Sequence, residues 1–172
     1  MTLPLNLHFI KEFVRNPRST GAILPSSSAL ARKMIECSDL AGDQRIIEIG
    51  PGTGAFTGPL LESLPENAEF RVIEKNERFA EKLQAKYPEL SILIGCASDH
   101  LTGASPEKND SIDRILSGLP WASFPEVLQH TLMASIHDSL TPGGKFTTFC
   151  YLQGRHLPAG KRFSTLIRSK FS

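Results

Sequence analysis

The chain has 172 residues, enough for one domain with a full core and too few for two. It is 40% hydrophobic and 22% charged, the profile of an ordinary globular protein, and no apolar run approaches the ~20 residues of a membrane-spanning helix. No basic segment followed by an apolar stretch and a cleavage site opens it, so no secretory signal is expected. Cys37, Cys96 and Cys150 stand in no metal-ligand or redox spacing and read as reduced thiols. The net charge of +1 hides an uneven distribution, because residues 1–35 sum to +4, residues 36–115 to −7 and residues 116–172 to +4. Two basic ends around an acidic middle would suit an anionic surface, lipid or nucleic acid, and equally a solvated exterior.

In chain order, Asn6 is placed to cap a helix over residues 7–15. At about 100° per residue its apolar side chains Leu7, Phe9, Ile10, Phe13 and Val14 fall in an arc of roughly 160°. Pro17 ends it. A loop through Pro25 leads to a second helix over about 28–37, capped by Ser26 or Ser27. From residue 44 short apolar runs alternate with amphipathic helices. Strands are expected at Arg45–Ile49, Phe70–Glu74, Ser91–Ile94, Ile112–Ser117 and Lys145–Tyr151, with helices near 54–64, 76–86 and 124–140. Pro142-Gly143-Gly144 is read as the break before the last strand. This alternation implies an α/β fold, a mostly parallel sheet with helices on both faces. Residues 1–40 would form an N-terminal helix, loop and second helix, and residues 41–172 the core, within one domain.

In such a sheet the ligand sits outside the carboxyl ends of the strands, beside the first. Gly50, Gly52 and Gly54 lie there, between a strand and a helix, and Glu74 ends the second strand, where a carboxylate can accept both ribose hydroxyls of an adenosine. Gly50-x-Gly52-x-x-Ala55 also matches the dinucleotide fingerprint, so an NAD-dependent oxidoreductase competes. Glu48 counts against it, since a pyrophosphate gains nothing from a nearby carboxylate. The E-x-G-x-G-x-G form of Glu48–Gly54 resembles motif I of S-adenosylmethionine enzymes, in which an acid helps hold the cationic methionine end. The resemblance implies a Rossmann-like class I methyltransferase fold with S-adenosylmethionine as cofactor and S-adenosylhomocysteine as product. Its binding residues by position are Glu48, Gly50, Gly52, Gly54, Glu74, Cys96, Ala97 and Ser117. Cys96 stands where many relatives carry an acid for the adenine amino group; Asp99 either replaces that acid or caps a helix. No metal site is expected.

Ser117-Gly118-Leu119-Pro120-Trp121 resembles the N-L-P-Y and N-P-P-Y motifs of adenine-N6 methyltransferases, with glycine in place of the Asn or Asp that holds the target amine. Together with Phe9–Pro17, Gly21–Ser27 and the run to Phe124, it resembles the bacterial phospholipid N-methyltransferases of the class I type, relatives of the rRNA adenine dimethylases. The resemblance implies an enzyme that methylates phosphatidylethanolamine, cytoplasmic and peripherally bound to the inner face of an anionic membrane through residues 7–15. It places Leu119, Pro120, Trp121 and Tyr151 at the acceptor. Trp121 would hold the methylated ammonium by cation–π attraction, worth about 0.5–2 kcal/mol, or simply wall the pocket. Arg155, Lys161, Arg162, Arg168 and Lys170 would meet lipid phosphates or water. His100, His130 and His137 offer no evident general base. An rRNA adenine methyltransferase and a cofactor-binding relative without activity remain alternatives. The class usually adds antiparallel sixth and seventh strands, whereas residues 158–170 read as a helix and the sequence then stops. The C-terminal strands are therefore expected to be missing, leaving a sheet edge open to self-association.

Overall fold

A computed structural model describes residues 26–101, 111–150, 154 and 156–171. The helix expected at 7–15, Tyr151 and Arg155 lie outside them. The described elements are α1 (Ser26–Ser38), β1 (Arg45–Ile49), α2 (Thr57–Glu62), β2 (Glu69–Glu74), α3 (Glu77–Lys86), β3 (Ser91–Ile94), α4 (Ala97–Leu101), β4 (Ile112–Ser117), a 3-10 turn (Trp121–Ser123), α5 (Glu126–Ser139), β5 (Leu140–Thr148) and α6 (Pro158–Lys170).

Five parallel strands lie in the order β3-β2-β1-β4-β5. Strands covered on both faces read as nearly continuous β-branched and aliphatic runs, as Ile46, Ile47 and Ile49 do. Successive side chains point to opposite faces. Ile46 therefore packs with Leu60 and Leu116 beneath α1 and α2, and Val72 with Leu83 of α3. Ile49, Ile73 and Ile115 face the larger core of α4, α5 and α6, which holds Trp121, Met133, Ile136 and Phe163. Glu48 shares the face of Ile46, and this parity decides its surroundings.

Local chemistry sets the element ends. The Asn76 side chain accepts from the amides of Arg78 and Phe79 and so caps α3, while Lys86 sits favourably in its last turn. The Gln84 carboxamide donates to the carbonyls of Tyr87, Pro88 and Leu90, closing the turn into β3. The end of α1 is tied to the sheet by Ser38, whose hydroxyl donates to Thr147 Oγ1, and by Arg114, which donates to the carbonyls of Ser38 and Asp39.

Most boundaries fall within a few residues of expectation, and the start of β5 differs most. The segment Thr141–Gly144 does not precede β5 but bulges within it: Leu140 already pairs with Ile112, and the ladder resumes at Lys145 opposite Arg114. Gly143, at φ +81°, takes the left-handed turn that lets the strand return to register. The short helix α4 and the 3-10 turn had no periodicity long enough to reveal them.

Ile115 is completely buried on a strand flanked by β1 and β5. Ile115→Ala is expected to lower unfolding free energy by about 2–5 kcal/mol, the cost of lost transfer energy and a residual cavity. Urea denaturation should show a lower midpoint with an unchanged slope.

Candidate functional site

The loops that leave the carboxyl ends of the strands are stitched to their neighbours by main-chain bonds. The Gly50 amide donates to the Ile73 carbonyl at 2.9 Å, that of Gly95 to Glu74 at 3.0 Å, and that of Gly118 to Ile49 at 2.9 Å. These three bonds align the loops after β1, β3 and β4 along one edge. Gly50, Gly52 and Gly54 all have left-handed φ, at +68°, +57° and +81°. A Cβ at Gly50 would lie 2.4 Å from the end of the Leu119 side chain, which would have to shift, and the left-handed φ itself disfavours any other residue there.

Two carboxylates face this loop. Glu74, at the end of β2, accepts from the Gly52 amide through Oε2 (3.0 Å) and from the Asn76 amide through Oε1 (2.8 Å). Burial raises its pKa, against the lowering effect of the amides of Asn76, Gly52 and Lys75. Glu48 is buried, and its Oε2 accepts from the Thr57 hydroxyl at 2.8 Å. Its Oε1 is equally buried and has no partner among the described residues. Burial pushes its pKa to about 7, opposed by the Thr57 bond and assisted by the charge of Glu74.

These residues fit S-adenosylmethionine. The glycines allow close backbone approach, Glu74 would take ribose hydroxyls beside the two amides it already accepts, and the oxygen of Glu48 that is unpartnered among the described residues is what a cationic ligand end would satisfy. When bound, the cofactor would supply an electrophilic methyl on a sulfonium. Of the other expected binding residues, Ala97 is buried at the start of α4, and Cys96 accepts from the Ser98 hydroxyl at 3.1 Å. Ser98 also donates to Asp99 Oδ1 at 3.0 Å. His100 folds back with Nε2 3.1 Å from the Ile94 carbonyl and fills the space beside Gly95.

Ser117 and Trp121 do not present themselves as expected. Ser117 is fully buried, and its oxygen accepts from the Trp121 indole nitrogen (3.0 Å) and the Leu119 amide (3.3 Å). It shapes the loop Gly118–Trp121, and its oxygen is already engaged by two donors. The Trp121 ring is 1% exposed, stacked on Phe163 at 4.7 Å and edge-on to Phe124 and Phe146. The expected cation–π role is corrected accordingly: aromatic packing covers the ring, and Trp121 acts as the floor of the loop. Leu119 and Pro120 are half-buried above it. Gly118 carries a further constraint, since a Cβ there would lie 2.5 Å from the Gly50 carbonyl oxygen.

Sequence reasoning missed Thr57, Gln129 and Phe163. Gln129 is fully buried and its carboxamide donates to the carbonyls of Trp121 (2.7 Å) and Ala159 (3.0 Å), joining the acceptor loop to α6. Its signal was present, because Gln129, Leu132, Met133 and Ile136 occupy one helical face and a lone amide on such a face marks a buried hydrogen bond. His130 lies 4.0 Å from Glu126, and His137 contacts Asp138 and Phe171, all on exposed surface. A polar cavity of about 530 Å³, lined by Asp43, Arg45, Glu69 and Asp113 among others, opens at the opposite, amino ends of the strands. Among the described residues, no cluster suited to a metal ion occurs.

The family description Ribosomal RNA adenine dimethylase matches residues 15–120. Ornithine lipid N-methyltransferase of Singulisphaera acidiphila is 25% identical over 141 residues, covering 80% of this chain and 73% of that protein. Ribosomal RNA small subunit methyltransferase A of Maridesulfovibrio salexigens is 32% identical over 108 residues, covering 62% of this chain and 39% of that one. The chain thus spans about two fifths of the length of the latter relative. A SAM-dependent O-methyltransferase from Thermotoga maritima superposes with a TM-score of 0.65 at 17% identity, over 94% of this chain and 55% of its own, which establishes the class I methyltransferase fold.

The raised pKa of Glu48 gives two expected outcomes. Its protonated form is favoured by folding, so its contribution to stability is fully present below its ordinary 4.5 and is lost as pH rises to about 7. The cofactor-free protein should therefore unfold more easily at pH 8 than at pH 5, and Glu48→Gln should flatten that dependence in thermal scans. Affinity for S-adenosylmethionine should run the other way, rising about tenfold from pH 6 to pH 8 as the carboxylate ionises. Calorimetric titration should show this gain with proton release, and Glu48→Gln should abolish both; an unchanged profile in that variant would remove Glu48 from the cation site.

Proposed function

The chain belongs to the ribosomal RNA adenine dimethylase family, and we propose that its own acceptor is the primary amine of a membrane phospholipid, phosphatidylethanolamine. The observation that carries this reading is Gly118. In the N-L-P-Y motifs that the acceptor loop resembles, the leading side chain holds the exocyclic amine of adenine. Here that side chain is absent, and the Gly50 carbonyl occupies the space into which one would project.

The difference suits the chemistry of the two amines. The lone pair of adenine N6 is delocalised into the ring, so a hydrogen-bond acceptor must draw the amine toward a tetrahedral nucleophile. An alkyl amine is already tetrahedral and needs only to lose a proton. A site without the side chain is therefore poor for adenine and adequate for a head-group amine. The lipid-methylating relative also aligns over more of this chain than the rRNA enzyme does, 80% against 62%.

In the mechanism that follows, the glycine loop and Glu74 hold the nucleoside and Glu48 the cationic end. Leu119 and Pro120 would line the approach of the amine, with Tyr151 a further candidate beyond the described residues. S-adenosylmethionine, when bound, would supply the methyl electrophile, and the part of this chain would be to hold the amine in line with it, since positioning supplies most of the acceleration. Residues 7–15, with an apolar face and His8, Lys11 and Arg15 on the other, would dock the enzyme on the inner leaflet. No helix among the described residues is long and apolar enough to cross a membrane.

Radiolabelled S-adenosylmethionine incubated with the protein and vesicles of phosphatidylethanolamine plus an anionic lipid should label the lipid. A parallel tube with bulk rRNA should stay unlabelled, and label in RNA alone would overturn the reading. Gly118→Asn should lower lipid methylation by at least tenfold, because its Cβ displaces the Gly50 carbonyl, and should confer no adenine methylation. An adenine-methylating Gly118→Asn protein would show that the missing side chain was the only barrier.

A further inference from the structure

Thr57 is completely buried at the first position of α2, nine residues after Glu48. A hydroxyl at a helix start ordinarily caps the helix's own amides. Here Phe56 holds the cap position with no side-chain bond, and the Thr57 hydroxyl turns to the sheet instead. It donates to Glu48 Oε2 at 2.8 Å, and it is the one donor to that carboxylate among the described residues, since Oε1 is buried without a partner. A Cβ on Gly54 would lie 3.7 Å from Thr57 Oγ1, so the hydroxyl also lies against the glycine loop. The rest of the surroundings are apolar. Val72 and Leu116, the register partners of Glu48 on β2 and β4, share its face and are buried, as are Leu60 of α2 and Met34 of α1. The charged side chains of α1, α2 and α3 are exposed, and Glu74 is the one ionisable neighbour whose charge acts on Glu48.

We propose that Thr57 is a positioning residue of the cofactor site: its hydroxyl pins Glu48 by one carboxylate oxygen and leaves the other free of protein donors for the cationic end of S-adenosylmethionine. The inference rests on the assignment of Glu48 to that cationic end and is independent of which amine is methylated. Thr57 acts in two ways. A glutamate has three side-chain torsions, and a bond at Oε2 fixes the plane of the carboxylate before the ligand arrives. A hydrogen bond donated to a carboxylate also favours its charged form, against the burial that disfavours it. A cation is held by the charged form, so geometry and charge are set by the same proton donor. Because Thr57 opens the helix that follows the glycine loop, it also couples the placement of that loop to the acid on β1.

The test uses Thr57→Val, which keeps the shape and removes the donor, and Thr57→Ser, which keeps the donor. Calorimetric titration with S-adenosylmethionine at pH 7, in buffers of different ionisation heat, reads affinity and proton release together. With the pKa of Glu48 at about 7, the unaltered protein should release about half a proton. Loss of a hydrogen bond to a charged group should raise that pKa further and lower the ionised fraction at pH 7 about tenfold. Thr57→Val should then release close to one proton and bind about tenfold more weakly, while Thr57→Ser stays within about threefold of the unaltered protein. In thermal scans without cofactor, the penalty of Thr57→Val should be larger at pH 8, where Glu48 is charged, than at pH 5. Lost packing alone would cost the same at both. Thr57→Ala removes the same donor without the added methyl and should move proton release in the same direction. Proton release unchanged in both Thr57→Val and Thr57→Ala would overturn the proposal, whatever their stability. Release that persists in Glu48→Gln would instead remove Glu48 from the cation site, and the proposal with it.

Discussion

Gly50 and Gly118 meet across the carboxyl ends of β1 and β4, and their contact is the constraint on which the site depends. Each has the other's loop where its Cβ would be: the Leu119 side chain opposite Gly50, and the Gly50 carbonyl opposite Gly118. The Gly118 amide bonds the last carbonyl of β1, so the approach is fixed by the sheet itself. Parallel pairing of β1 with β4, at the point where the strand order reverses, creates this neighbourhood. The cofactor loop and the acceptor loop consequently form one mechanical unit. A substitution at Gly118 is transmitted through the Gly50 main chain, which cannot move aside, whereas one at Gly50 meets the end of the Leu119 side chain.

Beneath that contact the protein carries a buried carboxylate with one oxygen unsatisfied. An unpaired buried acceptor typically costs about 1–3 kcal/mol. Thr57 satisfies one oxygen of Glu48, and burial disfavours the charged form, which is the physical content of a pKa of about 7. Glu74 nearby solves the same problem differently, by accepting two backbone amides. The two acids thus differ: both oxygens of Glu74 already accept backbone amides, while one oxygen of Glu48 has no partner among the described residues. A cationic ligand that binds only the folded state would recover that cost and stabilise the protein by mass action.

The fold was legible because its determinants are local. Ile46, Ile47 and Ile49 between Gln44 and Gly50 define β1, and the expected bounds of β1, β3 and β4 agree with the observed ones. β5 was read short because Pro142, Gly143 and Gly144 signal a break, whereas pairing with β4 on both sides turns that break into a bulge. The glycine loop and the two glutamates were equally visible, since their spacing follows from strand and loop lengths. For Trp121 the choice between its two roles, cation–π partner or pocket wall, was not legible, for the opposite reason. Its neighbour Phe163 lies 42 residues away on α6, and no local pattern announces that stack. An aromatic residue beside a reacting loop invites a ligand role, and tertiary packing alone decides whether a face remains open.

The buried Trp121 changes how specificity is to be understood. With its ring in the core, its indole nitrogen on Ser117 and its carbonyl on Gln129, the acceptor loop is held rigidly from below. Nothing at position 118 reaches upward to hold the incoming amine. In the proposed reading, the body that presents the acceptor would supply its orientation. In the reading proposed above that body is a lipid surface, which confines head-group amines to a plane and raises their local concentration at no cost to the site. Holding two reactants in place lowers a barrier whichever side supplies the geometry. A rigid loop with a glycine at its apex suits a substrate that arrives already ordered, and it suits poorly a nucleobase that must be extracted and gripped one at a time.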